Sequence, residues 1–255
     1  MRVRIKYSKQ GRMKYIGHLD MMRFFQKACR RAGIDVAYTE GMSPHMSMSF
    51  ALPLGVGMTS DSEYVDVDLA EPLTEEELLE RLNRSRPDGI RFTAARQIGI
   101  GKAHKGMSLT ARADYTLTFR EGYSWEEGWT EAFEKWLEQD EIPVVKKGKR
   151  TEKVINIRPL IFGVKPGPCG SESGPDIRLA LSAGQESNLR PELVMQAFAE
   201  GTGREWSPFI FLINRDELYA DVGKDGEHDF VPLIDLGTEL TEERIRTPDQ
   251  ENGSC

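Results

Sequence analysis

Cysteine is scarce in this 255-residue chain: Cys29, Cys169 and Cys255 are the only three, and no two stand at C-x-x-C spacing. A disulfide framework needs paired cysteines and a cysteine-rich zinc site needs clustered thiolates, so neither is expected. Histidine is scarce as well, and neither His104 nor His228 has a partner at metal-ligand spacing. No metal and no cofactor are expected. Long apolar runs are missing too. Nothing approaches the roughly 18 residues of a membrane span, and the start MRVRIKYSKQGRMKY contains no apolar signal-peptide run. The expected location is the cytoplasm.

What is present is a globular composition, 39% hydrophobic and 29% charged, with four Trp and eleven Phe. The length suits one large domain or two ordinary ones. A net charge of −7 would argue against nucleic acid if it were evenly spread, and it is not. Residues 1–50 carry ten Lys/Arg against Asp20, Asp35 and Glu40, which is +7 and leaves −14 for the remainder. Residues 91–112 hold Arg91, Arg96, Lys102, Lys105 and Arg112 with no acid, and residues 146–158 hold six basic residues against Glu152. Basic islands on an acidic protein point to a localised anion-binding surface.

The opening VRIKYSK alternates as a half-buried strand should, with Val3, Ile5 and Tyr7 on one face. His18 to Arg31 reads as a helix with Leu19, Met22, Phe25, Cys29 and Ala32 as its apolar side, ended by Gly33. Its other side carries Arg23, Lys27, Arg30 and Arg31. Short extended pieces follow, then EYVDVDL, then a helix announced by Thr74 three residues before Glu77, and IRFTAARQI closes a β-α-β-β-α-β order. After a Gly-rich basic stretch at 99–112 the order recurs. DYTLTFR is a strand, WEEGWTEAFEKWLEQD a helix, VINIRPLIF and IRLALSA paired strands, RPELVMQAFAEG a helix and FIFLIN a final strand. The expected fold is α+β, two tandem ferredoxin-like units with antiparallel sheets. Residues 1–108 and 109–236 form the two domains in this reading, and the polar tail 237–255 is disordered.

Three constellations carry candidate chemistry. In KYIGHLDMMRFF, His18 and Asp20 stand at a helix entrance, where Asp20 either caps the helix or orients His18 as a general acid or base. In EGMSPHMSMSFALPLGVG, Pro44 fixes the chain beside His45, the other acid/base or anion-binding candidate. In the second half, Lys153, Arg158 and Arg190 can meet phosphate, and Asn188 either reads a base edge or caps the next helix. The RNA-binding candidates are therefore Arg23, Lys27, Arg30, Arg31, His45, Lys153, Arg158, Asn188 and Arg190. Trp125, Trp129, Phe133 and Trp136 have the spacing of a core-facing helix rather than of a base-stacking platform.

The segment KYSKQGRMKYIGHLDMMRFFQKACRRAGI, the loop GMSPHMSMSFALPLGVG, the segment KVINIRP and the stretch SAGQESNLRPEL, in that order, resemble successive motifs of the bacterial radical-SAM-linked family, a domain of unknown function. His18, Asp20, Pro44, His45, Arg158, Asn188, Arg190 and Pro191 fit the family pattern. Ser43, Met46 and Met48 depart from its commoner Asn, Pro and Lys, and Gly17 from its usual Ser. The resemblance implies association with a radical-SAM protein. Three cysteines without close spacing exclude a radical-SAM cluster in the chain itself. More remotely, tandem ferredoxin-like units with basic faces are similar to CRISPR RNA-processing endonucleases and tRNA pseudouridine synthases, although the G-R-T-D motif of the latter is missing. The leading expectation is an RNA-binding accessory factor for a radical-SAM enzyme. The alternatives are a metal-independent ribonuclease or RNA-modifying enzyme using His18 or His45, and a protein-interaction module without RNA binding.

Overall fold

The computed structural model describes residues 1–147, 152–166 and 177–243. The protein is a mixed α+β fold with a large, mostly antiparallel sheet and few helices. It divides into two compact units, Met1–Thr110 with Leu218–Cys255, and Ala111–Glu217. Among the described residues no helix is long and apolar enough to cross a membrane.

The first unit begins with β1 (Arg2–Lys9). Next come α1 (His18–Arg31), β2 (Met48–Phe50), β3 (Thr59–Asp68), α2 (Glu75–Arg84), β4 (Ile90–Gln97) and the single turn α3 (Gly106–Leu109). The order β4-β1-β3, with β2 on β3, is antiparallel at each pairing. Val3, Ile5 and Tyr7 turn inward as their alternation predicts and meet Val65 and Val67 of β3, Phe25 and Cys29 of α1, and Leu78 and Leu82 of α2. The Phe25 ring lies 4.7 Å from Tyr7, 5.2 Å from Phe50 and 5.6 Å from Phe92. Two local signals act as read. Glu77 N donates to Thr74 Oγ1 at 3.2 Å while Thr74 N donates to Glu77 Oε2 at 3.2 Å, the reciprocal cap that starts α2. Gly33, at φ +63°, ends α1 in the left-handed region open to glycine. The phase of α1 differs from expectation. Met21, Phe25, Ala28 and Cys29 are buried, whereas Leu19 is 67% exposed.

The second unit contains β5 (Thr110–Phe119), α4 (Trp129–Trp136), β6 (Pro143–Lys147), β7 (Glu152–Asn156), β8 (Ile161–Pro166), β9 (Ile177–Ser182), α5 (Pro191–Thr202) and the first part of β10 (Phe211–Asp221). The order here is β10-β5-β9-β8, and β6 and β7 form a separate hairpin. The stretch VINIRPLIF is thus two strands rather than one. Pro159 lacks a backbone donor, and Arg158–Leu160 form a 3-10 turn. Residues before the turn pair with β6, and residues after it pair with β9. The aromatic helix is core, as expected: Phe133 lies 4.9 Å from Phe198, Trp129 5.5 Å from Phe119, and Trp125, just ahead of the helix, 5.4 Å from Phe211.

The chain from Leu218 packs with the first unit rather than with the second. There β11 (Phe230–Pro232) pairs with the end of β10. Leu233 O accepts from Arg4, Thr238 bridges to Gln97, and Leu240 enters the first core. The tail expected from residue 237 is therefore packed at least to Leu240, and residues 244–255 lie outside the described residues.

Candidate nucleic-acid interface

Helix α1 buries one side against the β1/β3 face and turns the other to solvent, so its four cations stand in the open. Arg23, Lys27 and Arg30 follow at i, i+4 and i+7, the spacing of one helical stripe, and Arg31 is a turn beyond Lys27. All four are exposed. Asp20 answers only the first of them: its Oδ1 lies 3.1 Å from Arg23 Nη1, in a pair 64–71% exposed. Such an exposed pair contributes at most about 1 kcal/mol and gives way readily to a phosphate. Lys27 and Arg31 have no acid partner among the described residues. Arg30 Nη2 reaches the hydroxyl of exposed Tyr38 at 3.5 Å.

The same geometry separates His18 from the role assigned with Asp20. The Asp20 carboxylate is taken by Arg23, and the His18 ring meets Phe50 edge-on at 5.3 Å. His18 borders a space of about 10 Å³ with Tyr7, Lys9 and Glu63, room for about one water. Asp20 makes no side-chain cap at the start of α1, whose N-cap is Gly17.

His45 is held differently. The pairing of Tyr38 with Met46 brings Thr39 opposite His45, and Thr39 N donates to His45 O at 2.8 Å. His45 N donates back to Thr39 Oγ1 at 3.2 Å, and His45 Nδ1 lies 3.0 Å from that oxygen and 3.3 Å from Ser43 O. A carbonyl only accepts, so the Ser43 contact favours the tautomer with the proton on Nδ1 and a free Nε2. His45 borders a cavity of about 110 Å³ together with Arg2, Ser47, Asp68 and Lys105. Arg2 and Asp68 form a two-pronged pair at 2.6 and 2.9 Å, and Ser47 Oγ also donates to the carboxylate. Burial opposes ionisation of Asp68, but the bonds from Arg2 and Ser47 outweigh it and hold its pKa below the ordinary value of 3.8.

Arg2 and Asp68 were absent from the candidates, as were Arg4 and Asp66 beneath them. Period-two alternation sends these side chains to the face opposite the apolar one, which reads as solvent. Arg4 is nevertheless fully buried, with Nε and Nη2 on the Asp66 carboxylate at 2.8 and 3.1 Å, Nη1 on Leu233 O at 3.0 Å and Nη2 on His104 O at 2.8 Å. Gly106 N donates to the same carboxylate at 2.7 Å. This network ties residues 104–106, and Lys105 with them, over the sheet.

In the second unit Arg158 is committed to structure: Nε donates to Leu137 O at 2.6 Å and Nη1 to Ile161 O at 3.4 Å. Lys153 is exposed on β7. Asn188 and Arg190 are exposed with no side-chain hydrogen bond among the described residues, and Arg190, not Asn188, occupies the N-cap of α5. Lys149 and Arg150 of the basic island at 146–158 lie outside the described residues.

The family described as "Uncharacterized protein conserved in bacteria (DUF2344)" matches residues 2–191, a span that includes every candidate named above. No curated protein matches the sequence. Among solved structures the chain is similar to one described as "Crystal Structure of a Cbf5-Nop10-Gar1 Complex", with 7% identity over 85% of this chain and 48% of that one and a TM-score of 0.45. The chain spans about half the length of that structure's chain.

Proposed function

Taking as premise that the chain belongs to the DUF2344 family of uncharacterized conserved bacterial proteins, we propose that it is an RNA-binding accessory factor whose primary phosphate contact is the exposed face of α1. The observation that carries this reading is the stripe Arg23, Lys27, Arg30 and Arg31, open to solvent and answered by one acid, on a protein of net charge −7. Cations kept together against the charge of the whole chain attract a polyanion and hold it electrostatically. Lys153, Asn188 and Arg190 add exposed contacts in the second unit. The likeness of the sequence motifs to radical-SAM-linked proteins supplies the partner in this proposal, a radical-SAM enzyme to which the RNA or ribonucleoprotein is presented. We further read both units as ferredoxin-like, on the support of the strand orders β4-β1-β3 with β2 on β3, and β10-β5-β9-β8.

Fluorescence anisotropy of labelled single-stranded RNA with the nucleic-acid-free protein tests the reading. Reversing charge at Arg23, Lys27 and Arg30 to Glu weakens binding by at least about tenfold, or 1.4 kcal/mol. Unchanged affinity overturns the interface, and no binding by either form leaves a protein-interaction module. One observation favours a second reading, the metal-independent RNA-processing enzyme. The bonds to Thr39 and Ser43 fix the His45 ring and leave Nε2 to transfer a proton. His45→Ala then abolishes RNA turnover with affinity retained, and absence of turnover by the unaltered protein removes this reading.

A further inference from the structure

The second unit holds a cleft of about 530 Å³ that the RNA reading does not use. One wall is formed by four successive residues, 142–145, leading into and along β6. Side chains of a strand alternate between faces, so a wall built from successive residues is the strand's edge. Val144 is 8% and Val145 50% exposed, in keeping with that alternation. Among the described residues β6 pairs with β7 alone, and Ile142 turns its backbone N–H and C=O to that side, so on the other edge Val145 presents both N–H and C=O while Pro143 presents its C=O alone.

The facing wall is α5. Leu193, Ala197 and Gly201 recur at i, i+4 and i+8, so the helix presents one stripe that narrows from a large side chain to none. A Cβ at Gly201 would stand 3.2 Å from Trp136 Nε1, so glycine keeps that end clear. An open strand edge facing a helix with small residues is the geometry in which an extended peptide adds as a new strand. Backbone hydrogen bonds supply its affinity, and alternate side chains supply its specificity. Among the described residues that line the cleft one is charged: Glu200, which is exposed and accepts from Gln196 Nε2 at 2.8 Å.

We propose that this cleft docks an extended segment of a partner protein, added antiparallel or parallel to the free edge of β6. Its alternate apolar side chains rest on Leu193 and Ala197, and a Lys or Arg faces Glu200. The proposal is independent of the RNA interface, since no residue is shared between them.

The test selects phage-displayed random dodecapeptides against the full chain, then measures synthetic versions of the enriched peptides by anisotropy. The expected peptides alternate apolar and basic residues. Methylating alternate backbone nitrogens weakens them by at least about tenfold on the unaltered protein, and Ala197→Trp does the same from the other wall. Glu200→Lys weakens peptides with a basic residue more than analogues in which that residue is Gln. Failure to enrich any peptide overturns the proposal, as does binding indifferent to backbone methylation. A dimer lost on Ala197→Trp in sedimentation assigns the cleft to a second copy and overturns it equally. The methylated peptides need no variant, so a misfolded Ala197→Trp leaves the test decisive.

Discussion

Removing the carboxylate of Asp66 strands a cation inside the first unit. Arg4 and Asp66 have 0% and 3% side-chain exposure, and the guanidinium makes two bonds to the carboxylate and two to backbone carbonyls. Asp66→Ala keeps the carbonyl bonds but leaves the charge unanswered, which costs about 3–5 kcal/mol for a buried pair broken on one side. It also frees the Gly106 N–H that Asp66 accepts, adding a cost that overlaps with the first. Folded domains are stable by about 5–15 kcal/mol, so the variant loses a large share of the first unit's stability. The paired change Arg4→Met with Asp66→Leu removes the unanswered charge but leaves Gly106 N–H, Leu233 O and His104 O without their side-chain partners, so it recovers only part of the loss. Urea titration resolves where the loss falls. All four tryptophans, Trp125, Trp129, Trp136 and Trp206, lie in the second unit, so their fluorescence reports that unit while far-UV circular dichroism reports both. The dichroism midpoint falls in Asp66→Ala and moves part of the way back in the double variant. A single-variant loss below about 1 kcal/mol, or a double variant no better than the single one, refutes the reasoning.

Three further outcomes follow from local chemistry. Thr74→Ala removes the side-chain half of the reciprocal cap on α2 and lowers stability by about 1 kcal/mol, read as a shift in the urea midpoint. Burial pushes the Cys29 thiol from 9.0 to about 11, so it resists iodoacetamide at pH 8 in the native protein and reacts in urea. Because the folded value lies above the unfolded one, the thiol's share of stability is whole below about pH 9 and fades as pH rises towards 11; Cys29→Ala flattens that alkaline loss. The Asp68 carboxyl, held below 3.8, contributes stability that is present above that pH and lost as pH falls through its folded value. Arg2→Gln raises the Asp68 pKa in carboxyl-detected NMR titration, and an unmoved pKa contradicts the role given to Arg2.

The sequence was most legible where one residue's chemistry decides one local event. Thr74 and Glu77 start a helix, Gly33 ends one, and the alternation of Val3, Ile5 and Tyr7 marks a strand whose apolar face meets the helices. Pairings across long separations were not legible. Arg4 and Asp66 look solvent-facing until residues 104–106 and Leu233 close over them, and those contacts span 62 to 229 positions. Leu19 and Met21 are both apolar, and packing turns Met21 inward while Leu19 stays exposed. Pro159 was the available sign that VINIRPLIF breaks in two. Of the candidate site, the exposure of Arg23, Lys27, Arg30 and Arg31 followed from helical spacing, whereas Arg158 proved to be held by the carbonyls of Leu137 and Ile161.

The salt dependence of RNA binding tests the central claim most directly. If Arg23, Lys27, Arg30 and Arg31 each meet a phosphate, the logarithm of the binding constant falls against the logarithm of salt concentration with a slope of about −3, from roughly −0.7 per phosphate on single strands. Replacing Arg23, Lys27 and Arg30 with Glu removes most of that slope. A slope near zero, or a steep slope that the triple variant leaves unchanged, contradicts the account and moves the interface away from α1.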